Sequence, residues 1–257
     1  MTTTSLKILA LCFMLIDHIA EFIPGIPIWF HWIGRVSAPI FFFCMVWGFK
    51  YTHNRKIYLR RMYGFGVIMG IMDFICNNLF PNPYCIITNN IFVTMFLIGV
   101  VIWILEMFQS DKKRGYNYLI YFCLYQILST SICIIAKKII PGYGIYDIVG
   151  ALTGNLIFTE GSFLFVFLGV LMYFTKESKI RIGAVYTIFC IVYFVLTALN
   201  SVHVKEMFYE NYQWMMIGAL PFMYLYNGKK GKGLKYLFYI FYPLHVFALF
   251  WIGNLCF

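Results

Sequence analysis

Four ionisable side chains inside long apolar runs of this sequence stand out: Asp17 and His18 in LKILALCFMLIDHIAEF, Asp73 in the stretch over residues 62–80, and His245 in the stretch over 236–255. An ionisable group at membrane depth is costly and faces a bundle interior or a wet cavity, so each of the four is a functional candidate. A buried imidazole beside a carboxylate is suited to take a proton from an attacking amine or hydroxyl. The same pair can also relay protons in coupled transport. His18 lies eleven residues beyond Lys7, Asp73 twelve beyond Arg61 and His245 ten beyond Lys235. At about 1.5 Å per residue, each sits about 15 to 18 Å from a basic marker, which places the three in one layer near the bilayer midplane. Adjacent helical residues do not face each other. A carboxylate that orients His18 is therefore expected from another helix, with Asp73 the best candidate and Asn77 one turn further on the same face. Asp17 is left to bind substrate or to pair with Arg35. The alternative for all of these residues is that they are buried, hydrogen-bonded groups that only specify helix packing.

The elements that must position them are membrane helices. Hydrophobic residues make up 62% of the 257 and charged residues 12%, about half the roughly 25% of a globular protein, so most of the surface faces something other than water. Apolar stretches run approximately over 6–23, 33–50, 62–80, 90–108, 116–136, 161–175, 182–199, 212–226 and 236–255. The expected fold is all-α: a polytopic transmembrane helix bundle of nine to ten membrane segments, forming a single domain over residues 1–257. With a cytoplasmic N-terminus, the inner segments hold Lys7; Lys50, Arg55, Lys56, Arg60 and Arg61; Lys112, Lys113 and Arg114; Lys176, Lys179 and Arg181; and Lys229, Lys230, Lys232 and Lys235. Only Arg35, Lys137, Lys138 and Lys205 remain outside. That asymmetry is the positive-inside pattern. Residues 139–160 are apolar but broken by glycines and carry Asp147, Asn155 and Glu160. Counting them as a further span would reverse the charge rule at Lys176–Arg181, so they are expected to be re-entrant or interfacial, buried against protein.

Other classes are disfavoured. The formal charge of +10 is scattered between apolar runs rather than gathered on one face, which argues against nucleic acid. The eight cysteines show neither metal-ligand nor disulfide-scaffold spacing. The first apolar run carries Asp17 and His18 and no A-x-A site follows, so it is expected to be a span rather than a cleaved signal. Pro39, Pro221 and Pro243 lie within expected spans. Each removes a helical hydrogen bond, and Pro243 stands two residues before His245, where a kink can turn the imidazole inward.

Particular strings then add to this reading. LKILALCFMLIDHIAEF, IGRVSAPIFFFCMVWGFKYTHNRKIYLRR, NNIFVTMFLIG and QWMMIGALPFMYLYNGKKGKGLKYLFYIFYPLHVF resemble the TraX family of bacterial membrane proteins over nearly the whole chain. The most specific parts are the Leu15-Ile16-Asp17-His18 run, Gly34-Arg35 with Pro39-Ile40-Phe41, Tyr226-Asn227-Gly228, and Tyr242-Pro243-Leu244-His245. The resemblance implies an integral-membrane acyltransferase of the bacterial cytoplasmic membrane, similar to a pilin N-acetylase and related to acyl-CoA-dependent membrane acetyltransferases. Carried over by motif, Asp17 and His18 are catalytic, and Arg35, Asp73, Asn90 and His245 belong to the active-site neighbourhood. The resemblance also implies cytoplasmic acetyl-CoA as co-substrate, with Arg55, Lys56, Arg60 and Arg61 in the first basic loop as ligands of its phosphates. No metal is implied.

The resulting expectation is transfer of an acetyl group from acyl-CoA to an amine or hydroxyl of a peptide or cell-surface glycan, in or across the lipid. His18 is the base, Asp73 or Asp17 holds its tautomer, and Arg35 or Asn90 steadies the oxyanion. Direct transfer and a route through an acetyl-histidine both fit. Two other classes stay open: a proton-coupled transporter or flippase using the same Asp and His, and a non-enzymatic assembly or immunity partner.

Overall fold

The computed structural model describes residues 1–256 apart from the side chain of Lys235. That side chain, used above as a depth marker, and Phe257 lie outside the described residues. The chain is all-helical, with no strand among the described residues. Its helices are α1 (Thr3–Phe22), α2 (Trp29–Gly34), α3 (Ser37–Tyr51), α4 (Arg55–Leu79), α5 (Ile91–Ser110), α6 (Lys112–Ile139), α7 (Ile145–Thr153), α8 (Ser162–Thr175), α9 (Lys179–Asn200), α10 (Glu206–Tyr209), α11 (Leu220–Tyr224) and α12 (Lys235–Cys256). A 3-10 helix over Tyr212–Ala219 runs directly into α11. Short polar residues set several starts. The side chains of Thr2, Asn54, Asp111 and Ser178 accept hydrogen bonds from Ser5, Ile57, Arg114 and Arg181, satisfying first-turn amides that have no helical partner.

Six stretches among the described residues are long and apolar enough to cross a membrane: Trp29–Tyr51, Arg55–Leu79, Ile91–Ser110, Lys112–Ile139, Lys179–Asn200 and Tyr236–Cys256. This is a polytopic membrane protein. Its outward faces agree: α6 exposes Leu124, Ile127, Leu128 and Ile135, and α9 exposes Ile188, Ile191, Val192 and Val195, a surface suited to acyl chains rather than water. The count is smaller than the nine to ten segments expected, for local reasons. Helix α1 carries Lys7, Asp17 and Glu21, and α8 has only 14 residues. The expected span at 212–226 is the 3-10 helix followed by the five-residue α11. A 3-10 helix rises about 2 Å per residue, so this segment reaches further than an α-helix of the same length.

Residues sort by proximity into two compact units, one formed by Met1–Trp47 with the chain from Leu171 onward, the other by Gly48–Val170. In the first, α1 packs on α2 and α12, and α9 on the 3-10 helix. In the second, α4 packs on α5 and α7, and α6 on α5 and α7.

The glycine-broken segment of the second unit shows how irregular backbone is held. Gly144 and Gly154, both left-handed, bound the nine-residue α7. At about 1.5 Å per residue it is about 14 Å long, half a hydrocarbon core of about 30 Å. The backbone around its end is satisfied by side chains. Tyr125 and Tyr63 donate to the carbonyls of Thr153 and Leu152 at 2.6 Å each. Gln126 donates to the Gly154 carbonyl at 3.0 Å and accepts from the Leu156 amide at 2.9 Å. Asn155 accepts from the amides of Ile157 and Phe158 and donates to Ser129 and Thr130. Non-helical backbone at membrane depth is tolerated only when served by protein in this way.

Candidate active site

In the first unit, α1 carries Asp17 and His18 side by side, both buried. Successive residues diverge by about 100° on a 3.6-residue helix, and the two serve separate clusters.

His18 meets α12. Its Nδ1 lies 2.8 Å from Nε2 of His245, with the rings nearly parallel at 8° and their centroids 4.9 Å apart. The other nitrogen of His245, Nδ1, lies 2.7 Å from the Phe241 carbonyl one turn earlier in α12. A carbonyl only accepts, so His245 Nδ1 carries a hydrogen and donates to it. In a neutral ring Nε2 is then the acceptor, His18 Nδ1–H donates to it, and the His18 lone pair falls on Nε2. That atom stands 3.8 Å from Oε2 of Glu21, one turn further along α1. Tyr242 presents its edge to both imidazoles and Phe22 to His18, while Phe241 stacks on His245.

Asp17 meets α2. Its Oδ1 is 2.8 Å from His31 Nδ1, and its Oδ2 accepts from Arg35. Gly34 makes this approach possible, because a Cβ there would fall 2.3 Å from Asp17 side-chain carbons. Arg35 also donates to Gln213 Oε1 at 3.2 Å, and Tyr212 lies under the guanidinium and stacks on His31. One donor is left over: Arg35 Nε is buried with no hydrogen-bond partner.

The structure thus joins Asp17 to Arg35 and His18 to His245. The place beside His18 Nδ1 expected for Asp73 is occupied by His245, and Asp73 belongs to the second unit. There it is 3% exposed, with Oδ1 lacking a hydrogen-bond partner, on the face of α4 that also carries Gly66, Gly70 and Asn77. Asp147 and Glu160 are within its electrostatic reach. Asn77 is bonded to both backbone groups of Ile87. Asn90 donates from Nδ2 to the Gly66 carbonyl at 2.8 Å and from its backbone to Glu160, and its Oδ1 is buried without a partner. Of the basic residues of the first loop, Arg55 pairs with Glu106 and lies over the Phe49 ring, whereas Lys56, Arg60 and Arg61 are exposed on α4.

His31, Glu21, Tyr212, Gln213 and the Phe241 carbonyl are the participants the sequence reading did not single out. Glu21, three residues after His18, carried a usable signal in its spacing.

Together the apolar helices and the buried polar pairs define a multi-pass helical membrane protein. The family model described as TraX protein matches residues 2–253, and the chain belongs to the TraX family. Comparisons with curated proteins and with solved structures gave no match.

Proposed function

We propose that the protein is an integral-membrane acyltransferase that moves an acetyl group from acyl-CoA, supplied from the cytoplasm where the N-terminus lies, to an amine or hydroxyl of a peptide or glycan. The observation that carries this reading is the directed chain from the Phe241 carbonyl through His245 to His18, which places the His18 lone pair on Nε2. In the step it supports, Nε2 takes the proton from the nucleophile as that atom bonds to the thioester carbonyl carbon. The C–S bond then breaks, and the imidazolium returns the proton to the departing thiolate. His245 holds the tautomer, the role expected of Asp73 or Asp17, and the Glu21 carboxylate favours the transient imidazolium. Asp17 fixes Arg35, whose Nε–H is the available donor for the oxyanion. Asn90 has the wrong polarity for that task, because the atom it leaves over is an acceptor.

The test is purified protein incubated with radiolabelled acetyl-CoA and an amine or hydroxyl acceptor. Transfer or slow donor hydrolysis that disappears in His18→Ala is the expected result. Donor left intact by the wild type, alongside proton-dependent flux in vesicles, would replace the enzyme with a transporter.

A further inference from the structure

The start of α1 is held by a loop from the far end of the chain. Thr3 and Thr4 donate their backbone amides to the carbonyls of Lys229 and Lys230 at 2.9 and 3.1 Å, and the Asn227 amide donates to the Met1 carbonyl at 2.9 Å. The Met1 amino group donates to the Leu225 carbonyl. The Thr4 hydroxyl lies 2.9 Å from the Lys230 carbonyl and 2.6 Å from that of Lys232. Gly228 and Gly231 both take left-handed backbone, and a Cβ on Gly231 would sit 2.5 Å from the Thr2 hydroxyl. The sequence Tyr226-Asn227-Gly228-Lys229-Lys230-Gly231-Lys232 is thus shaped to lie against the helix with its carbonyls turned inward.

That arrangement commits the loop carbonyls and leaves three lysine side chains exposed. Lys7, at the second turn of α1, is within electrostatic reach of Lys230 and lies over the Phe238 ring. Among the described residues none of Lys7, Lys229, Lys230 and Lys232 forms an ion pair with a carboxylate. Like charges gathered without a counter-charge repel, and a polyanion relieves that repulsion. The first-turn amides of Thr3, Thr4 and Ser5 are already engaged, so an anion here is held by ammonium groups rather than by the helix terminus. The loop also stands at a defined distance from the base. From Thr4 to His18 is fourteen residues of one continuous helix, about 21 Å, a reach that an extended phosphopantetheine arm covers. In the first basic loop Arg55 is paired with Glu106, while Lys56, Arg60 and Arg61 are exposed on α4.

We infer that the Lys229–Lys232 loop clasped on α1, together with Lys7, is the phosphate site of the acyl-CoA donor. The inference rests on the acyltransferase reading. Helix α1 acts as a ruler, with phosphates held at its start and the thioester delivered to His18 three to four turns on.

Binding of radiolabelled acetyl-CoA is measured by equilibrium dialysis in neutral-lipid nanodiscs, for wild type and for a variant with Lys229→Gln, Lys230→Gln and Lys232→Gln. Acetyl-pantetheine, which has no phosphate, serves as the comparison donor. The variant should bind acetyl-CoA at least tenfold more weakly, about 1.4 kcal/mol, and lose most of the salt dependence of binding, while its His18-dependent turnover of acetyl-pantetheine matches wild type. Equal acetyl-CoA affinity in the two proteins overturns the inference and leaves the enzyme reading standing. If wild type turns over neither donor, the enzyme reading fails first. If the substitutions weaken only flotation with phosphatidylglycerol vesicles, the lysines serve lipid headgroups and the inference is likewise overturned.

Discussion

Both units bury polar groups among apolar helices, but they connect them differently. Around α1 the groups form directed pairs, from the Phe241 carbonyl to His245 to His18, and from Asp17 to His31 and Arg35. These pairs fix the His18 tautomer with its lone pair on Nε2, 3.8 Å from Glu21 Oε2, and leave Arg35 Nε without a hydrogen-bond partner. In the second unit the atoms without a partner are Asp73 Oδ1 on α4 and Asn90 Oδ1 at the start of α5, and most polar contacts around them support broken backbone. Burial alone therefore does not separate chemistry from scaffolding in this protein.

That contrast is open to direct attack. The largest effect expected is from His18→Ala, which should lower acetyl transfer about 1,000-fold, within the range general-base removal produces, with detergent-solubilised yield and helical circular dichroism unchanged. Next, His245→Phe should slow transfer about 10- to 100-fold, the scale on which an orienting partner of histidine acts. His245→Gln, whose amide oxygen can still accept from His18 Nδ1–H, should recover part of the loss. Equal rates for the two variants would remove the tautomer argument. Asp73→Asn should cost less than tenfold in rate. A loss as deep as that of His18→Ala would return Asp73 to the proton path and erase the distinction between the units. Smallest, Gly34→Ala pushes a methyl into Asp17 and should destabilise by about 1 to 3 kcal/mol, read as a lower thermal unfolding midpoint of the purified protein.

Much of this was written in the linear order of residues. All six crossing stretches lie where an apolar run predicts them, because length and hydropathy are local properties. The breaks were harder. Tyr212–Ala219 reads as an apolar stretch whether it winds as α or 3-10, and the break at Arg35–Val36 between α2 and α3 falls inside a single apolar run, with Gly34 before it and Pro39 after it. The adjacency of Asp17 and His18, and the pairing of Asp17 with Arg35, 18 residues apart, were within reach of helical geometry. The His18–His245 bond was not, since it joins residues 227 positions apart and nothing periodic connects them. His31 fell between expected spans and was passed over for that reason. The lysines near the C-terminus were read only as markers of sidedness, because the clasp that gives them a shape depends on backbone contacts with Met1–Thr4.

The tethering of residues 153–156 by Tyr125, Gln126, Ser129 and Thr130 has a bearing on biogenesis. Those partners all stand on α6, which leaves the ribosome before the segment that needs them. A broken stretch arriving alone in lipid would carry naked amides and carbonyls, whereas this one enters beside a neighbour already equipped to receive it.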